Sequence, residues 1–193
     1  MNTLKHLFAA AALAAGLASP ALAVTFEGAL TQGATVVTNF GDVGLISFDI
    51  DFANFAPATV EYRIDGSDAG TAIDFNAILR NLTGRGITGY TVALSSGSFG
   101  TLGSAIRQFA GAASVSGGGQ LATVSFNSPE FLDVELGNAL GTTPNAVDWT
   151  ITGLNVGDRV SLTVTPVPEP GSLALMFGGL AVTGLWMRRR RSR

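Results

Sequence analysis

Ile46-Ser47-Phe48-Asp49-Ile50-Asp51-Phe52 alternates apolar and polar side chains without a break. Successive side chains of a strand point to opposite faces, so the large apolar groups share one side and Ser47, Asp49 and Asp51 the other. The same period of two returns in Val60-Glu61-Tyr62-Arg63-Ile64, in Ala72–Asn81 and in Thr88–Leu94. It recurs in Leu121–Phe126, Phe131–Leu136, Val147–Thr152 and across Val160, Leu162 and Val164. Val24–Leu30 and Ala34–Thr38 are expected to be strands as well. Gly, Asn, Asp, Ser and Pro cluster between these runs, at Asn54–Pro57, Asp65–Gly70, Thr83–Gly86, Ser95–Gly103, Ser114–Gly119, Gly137–Asn145 and Asn155–Asp158, and read as turns. Gly103–Ala110 is the one stretch with room for a turn or two of helix. Nine or ten short strands without an amphipathic helix predict an all-β fold, an antiparallel β-sandwich of jelly-roll or immunoglobulin-like type. No internal repeat suggests a solenoid or propeller.

The two ends depart from this pattern. Residues 1–23 combine Lys5 and His6, an apolar run from Leu7 to Leu17, and Ala21-Leu22-Ala23 as a small-x-small cleavage site. That is the layout of a secretory signal peptide, a helix removed after Ala23. Residues 24–165 form the expected body, and residues 166–170 a proline-rich stalk, Pro166-Val167-Pro168-Glu169-Pro170. Proline fixes φ and pushes the preceding residue towards extended conformations, so Val167 and Glu169 should lie in a stiff, strand-like peptide. Residues 171–187 carry no charge, and seventeen helical residues rise roughly 25 Å, near the lower limit for a bilayer. Arg188, Arg189, Arg190, Arg191 and Arg193 follow at once, a stop-transfer cluster held in the cytoplasm by the positive-inside rule. The expected architecture is therefore an ectodomain with a single C-terminal transmembrane helix and a cytoplasmic segment, residues 188–193.

Val167-Pro168-Glu169-Pro170, a short glycine-rich apolar helix and a terminal arginine cluster, in that order, resemble the PEP-CTERM sorting signal. The resemblance covers about the last twenty-six residues. It implies a Gram-negative host with an exosortase, a multi-pass membrane enzyme with a cysteine nucleophile. That enzyme would recognise Pro168-Glu169-Pro170 and cut near it. The body would pass through the inner membrane, be held there transiently, and end in the envelope or outside the cell.

Composition narrows what such a body can do. Residues 24–165 hold thirteen carboxylates against five arginines, a net charge of −8 that the whole-chain value of −3 conceals. An acidic exported body argues against nucleic acid as a partner. The chain has no cysteine, and its lysine and histidine, Lys5 and His6, lie in the signal segment. A serine–histidine–acid triad, a histidine metal site and a Schiff-base lysine are thereby excluded from the body.

Four aspartates invite a metal reading. Asp49 and Asp51 share a strand face, and Asp65 and Asp68 share a glycine-rich loop, a spacing that offers oxygens to Ca2+. Asp65-Gly66-Ser67-Asp68 does not complete an EF-hand, however, and the outer face of a strand carries aspartates without any metal, so no cofactor is expected. A glycosidase needs only two carboxylates, and Glu27, Glu61, Glu130 and Glu135 are available, but their pattern is that of exposed charge. Trp149 reads as a core residue more than as a sugar platform. Asn81-Leu82-Thr83 matches a glycosylation acceptor. The expectation is a non-enzymatic surface or matrix protein, structural or adhesive in biofilm, with a polysaccharide-binding module as the alternative and a polysaccharide-acting enzyme third.

Overall fold

The computed structural model describes residues 23–66, 72–109, 111–169 and 171. They form fourteen strands: β1 Ala23–Leu30, β2 Val36–Asn39, β3 Leu45–Phe52, β4 Ala58–Asp65, β5 Ile73–Asn81, β6 Ile87–Leu94 and β7 Ser98–Thr101, then β8 Ala105–Arg107, β9 Gly111–Ala112, β10 Ser114–Gly118, β11 Leu121–Glu130, β12 Asp133–Leu136, β13 Trp149–Thr152 and β14 Arg159–Pro168. Among the described residues no helix is long and apolar enough to cross a membrane. The expected signal helix (residues 1–23) and transmembrane helix (residues 171–187) lie outside the described residues but for Ala23 and Gly171, and the whole arginine cluster lies outside them.

One sheet runs β1-β4-β14-β6-β11-β10 and is antiparallel throughout. The other runs β2-β3-β5-β12-β8-β9, with β13 paired to the first half of β5 and β7 paired to β13. The expectation of a purely antiparallel fold is corrected at one place: β3 and β5 run parallel, from Leu45↔Asp74 to Phe52↔Asn81. The chain leaves this sheet after β3, forms β4 in the other sheet and returns. A crossover of that length lets two strands of one sheet point the same way, which a hairpin cannot.

Period two does its work in both layers. Ile46, Phe48, Ile50 and Phe52 of β3 are fully buried, as are Val60, Tyr62 and Ile64 of β4 and Val160, Leu162 and Val164 of β14. Side chains of both sheets form one hydrophobic cluster, and each large side chain taken from water contributes about 1.5–3 kcal/mol. Phe52 and Tyr90 meet across the layers at 5.8 Å, and the Tyr62 hydroxyl donates across them to Asn39 Oδ1 at 2.7 Å. Trp149 takes Phe75 and Phe99 edge-on at 5.9 and 5.5 Å and donates its indole N–H to the Ser104 carbonyl at 2.8 Å. An indole in the core with its one donor satisfied is what the sequence leads one to expect.

Three strands come from stretches that read otherwise. Gly103–Ala110, the candidate helix, supplies strand β8, which pairs with β12 from Val134↔Arg107 to Leu136↔Ala105. Ser95–Gly103 and Ser114–Gly119, read as turns, supply β7 and β10. Glycine and serine rank low in strand propensity, and only pairing with an existing edge holds these pieces extended. Two strands also outrun their expected ends. β11 continues past Phe126 to Glu130, and β14 continues past Thr165 to Pro168.

Candidate functional site

The extension of β14 carries the chain's sorting segment into the sheet. Pro166 pairs with Tyr90, Val167 with Gly89 and Pro168 with Ile87, across a register shift between the last two pairs. On the other side β4 stops at Ala58, opposite Val164, so residues 165–168 have a partner on one edge only. The Ser95 N–H donates to the Ser161 carbonyl and the Glu169 N–H to the Gly86 carbonyl, so the odd-numbered residues of β14 turn their hydrogen-bonding groups towards β6. Pro166 and Pro168 are even-numbered, and the position without an N–H therefore falls on the free edge. A proline is tolerated in a strand at such a place, and it leaves that edge no donor with which to recruit another strand.

Local packing explains why the segment stays down. Gly89 lies where an added Cβ would collide with the Val124 carbonyl of β11, so β6 can run close to its neighbour only with glycine there. Gly86 is buried, and a Cβ there would lie 2.6 Å from Pro129 Cβ and 3.2 Å from Glu169 Oε2. The Glu169 N–H reaches the Gly86 carbonyl at 3.1 Å, and the Thr88 hydroxyl reaches the Val167 carbonyl at 3.3 Å. Pro166 is buried, whereas Val167, Pro168 and Glu169 are exposed. Pro170, the fourth residue of the expected motif, lies outside the described residues.

The floor under Gly86 is built from two polar residues. Asn81, 6 % exposed, donates its amide to the carbonyls of Arg85 and Glu130 at 2.7 and 3.0 Å, and accepts from the N–H and hydroxyl of Thr83. The candidate glycosylation nitrogen is thus a buried donor that closes the loop before β6. Glu130, expected as exposed charge, is instead buried against Arg107, with Nε donating to Oε2 at 2.7 Å. Its other oxygen accepts from the N–H groups of Phe131 and Leu132 at 2.9 and 3.0 Å. Arg107 also donates to Ser128 Oγ and the Pro129 carbonyl, and its guanidinium lies 5.2 Å from the centre of the Phe126 ring. Burial pushes the Glu130 carboxyl up, but the Arg107 guanidinium and the two N–H groups outweigh that and hold it below the usual carboxylate range. The pair locks the corner on which Gly86, and through it Glu169, is seated.

The three candidate calcium ligands among the described residues do not all converge. Arg80 donates to Asp49 at 2.6 Å and to Asp51 at 2.9 Å, and its Nε lies 3.7 Å from Asp133. Asp65 lies in the other sheet, accepting from the Thr25 hydroxyl at 2.6 Å and from Arg63 at 3.2 Å. Asp68 lies outside the described residues. Among the described residues no group of three potential ligands is placed to hold a metal ion.

Three of the four candidate catalytic carboxylates, Glu27, Glu130 and Glu135, are likewise engaged. Glu27 meets Arg159 at 2.9 Å and Arg63 at 3.7 Å. Glu135 accepts from the Leu140 N–H and the Thr143 hydroxyl, on the wall of a groove of about 300 Å³ floored by Ile78 and Ile106. Asp133, on the rim of the same groove, has its carboxyl pushed up by burial and by Asp51, Asp49 and Glu130, against the pull of Arg80.

Ala23 is the first residue of β1, paired with Asp65, while Ala21 lies outside the described residues. No curated protein and no solved structure matches the chain. Residues 166–191 match the family model of the PEP-CTERM protein-sorting motif. The match begins at Pro166, the buried residue two positions past the last residue of β14 that pairs with β4. With that segment identified, the chain is a protein that carries the PEP-CTERM sorting motif, which implies export, processing by exosortase and sorting to the bacterial cell surface.

Proposed function

We propose that the chain is a non-enzymatic surface or extracellular-matrix protein of a Gram-negative bacterium, structural or adhesive in biofilm. It crosses the inner membrane behind the signal peptide of residues 1–23 and is held by the apolar segment of residues 171–187. Exosortase then frees it at the motif. The observation that carries this reading is the direct passage of β14 into Val167-Pro168-Glu169, exposed at the end of the body and within the matched residues. The engagement of Glu27, Glu130 and Glu135 with arginines, N–H groups and a hydroxyl supports a body without catalytic carboxylates. A polysaccharide-binding module, the rival reading, draws support from the exposed Phe40, Phe109 and Phe131 but not from Trp149, Tyr62 and Tyr90, which are all fully buried.

The test is the intact mass and cell fraction of the protein in its host and in a strain without exosortase. A species beginning at Val24, lacking the arginine cluster and found outside the inner membrane only when exosortase is present is the expected result. A protein that keeps its tail in the inner membrane of both strains would overturn it.

A further inference from the structure

The sequence places the sorting motif in a stalk between the body and the membrane, but its first half is paired into the sheet. We propose that the folded body decides how much of the motif a processing enzyme can reach. Pro166 through Pro168 stay paired with β6, and the bond that is cut lies C-terminal to Pro168. The inference rests on the exosortase reading for the identity of the enzyme, but not for the protection itself.

Three observations carry it. Pro166, Val167 and Pro168 are in register with Tyr90, Gly89 and Ile87, and Pro166 is buried, so a cleft that needs an extended peptide on both edges cannot take this segment without peeling it off. The peeled strand would break the pairing that holds Val167 and the Glu169 N–H to β6 and Gly86. At Glu169 the backbone is held, among the described residues, by a single hydrogen bond at an exposed position, which opens far more readily than a paired strand. The anchor is reinforced from below, because the Arg107–Glu130 pair fixes Pro129 and Phe131, the residues that enclose Gly86. In the cut itself one peptide bond breaks. Its acyl carbon passes to the enzyme's thiolate and then to water or an acceptor, and the tail leaves with a new amino group that takes up a proton.

A proline-specific endoprotease tests the protection without exosortase. The full chain in detergent micelles offers it the bonds after Pro166, Pro168 and Pro170. Cutting after Pro168 or Pro170 should outrun cutting after Pro166 on the order of tenfold or more, and urea that unfolds the body should abolish the difference. Equal cutting after Pro166 in the native protein would overturn the proposal. Gly86→Ala forces Pro129 and Glu169 aside and should speed cutting after Pro168 severalfold. If that variant does not fold, the comparison of native and urea-unfolded wild type decides alone. The second arm is the C-terminus of the species released in the host. A terminus at Pro168 or beyond is expected. An exosortase-dependent terminus before Pro168 overturns the proposal and leaves the sorting reading intact. No exosortase-dependent release removes the sorting reading and the enzymatic half of the proposal, while the protease result still decides whether the body protects the motif.

Discussion

Arg107 and Arg80 leave opposite faces of one sheet, and each meets carboxylates at bonding distance. Arg107 shares its cross-strand row with Val134 and Leu79, which point into the core, whereas Arg80 shares its row with Asp133 and Asp51 on the outer face. The inner site is a one-to-one pair with both side chains under 10 % exposed, and its carboxylate also caps two N–H groups. On the outer face one guanidinium, 34 % exposed, is divided among three carboxylates. Breaking the inner pair strands a charge where water cannot reach it, whereas breaking the outer cluster leaves charges that water and salt can screen.

Arg107→Met separates the two sites most. It leaves Glu130 buried and unpaired and should cost about 3–5 kcal/mol in a denaturant titration. A loss no larger than that of a surface arginine would show that the corner relaxes and lets water in. Acid should separate the sites by sign. The Glu130 carboxyl titrates lower in the folded chain than in the unfolded one, so its contribution is present above the ordinary carboxylate pKa and is lost as pH falls through the folded value. The Asp133 carboxyl titrates higher in the folded chain, so protonating it favours folding, a gain present at low pH and lost as pH rises through its raised value. Stability curves of Glu130→Gln and Asp133→Asn against pH should therefore deviate from wild type in opposite directions.

Arg80→Met should cost about 1 kcal/mol, more at low ionic strength and less in high salt, since its partners are partly exposed. It also frees Asp49, Asp51 and Asp133 of their shared cation, so calcium should raise the melting temperature of this variant more than that of wild type. An equal response in both proteins would place any calcium elsewhere. Asp133→Asn should be neutral or stabilising at neutral pH, by at most about 1 kcal/mol. The smallest effect is expected at Tyr90, whose hydroxyl is buried with no hydrogen-bond partner among the described residues. Tyr90→Phe removes an unsatisfied group next to the inner site, and its stability should stay within a few tenths of a kcal/mol of wild type or rise. A larger loss would mean that the hydroxyl binds an ordered water.

The strands that were legible in advance are those with large apolar groups at every second position, such as Ile46–Phe52 and Val60–Ile64, because a two-residue period and burial on one face are local properties. Ser98–Thr101 and Ser114–Gly118 have no such period, with one large apolar residue each, Phe99 and Val115, among small and polar ones, and they are extended only because β13 and β11 offer them an edge. The sorting segment was legible through its order of prolines, apolar run and arginines. Its attachment to the sheet was not, since nothing in Pro166-Val167-Pro168 announces Tyr90, Gly89 and Ile87 as partners. Glu130 departs from expectation for a related reason: a glutamate at a strand end is exposed by default, and the arginine that reverses this lies twenty-three residues earlier.

What the sequence determined by itself was chemistry and period: an all-β acidic body free of cysteine, histidine and lysine, with a tail whose composition names its route. The tertiary structure alone decided who pairs with whom. It sent Asp49 and Asp51 to Arg80, buried Glu130 with Arg107, turned β3 and β5 parallel and drew the first half of the sorting motif into the sheet. Periodicity is written in neighbouring residues, whereas these pairings join residues up to about eighty positions apart. They are selected by the burial and hydrogen bonding of the whole fold.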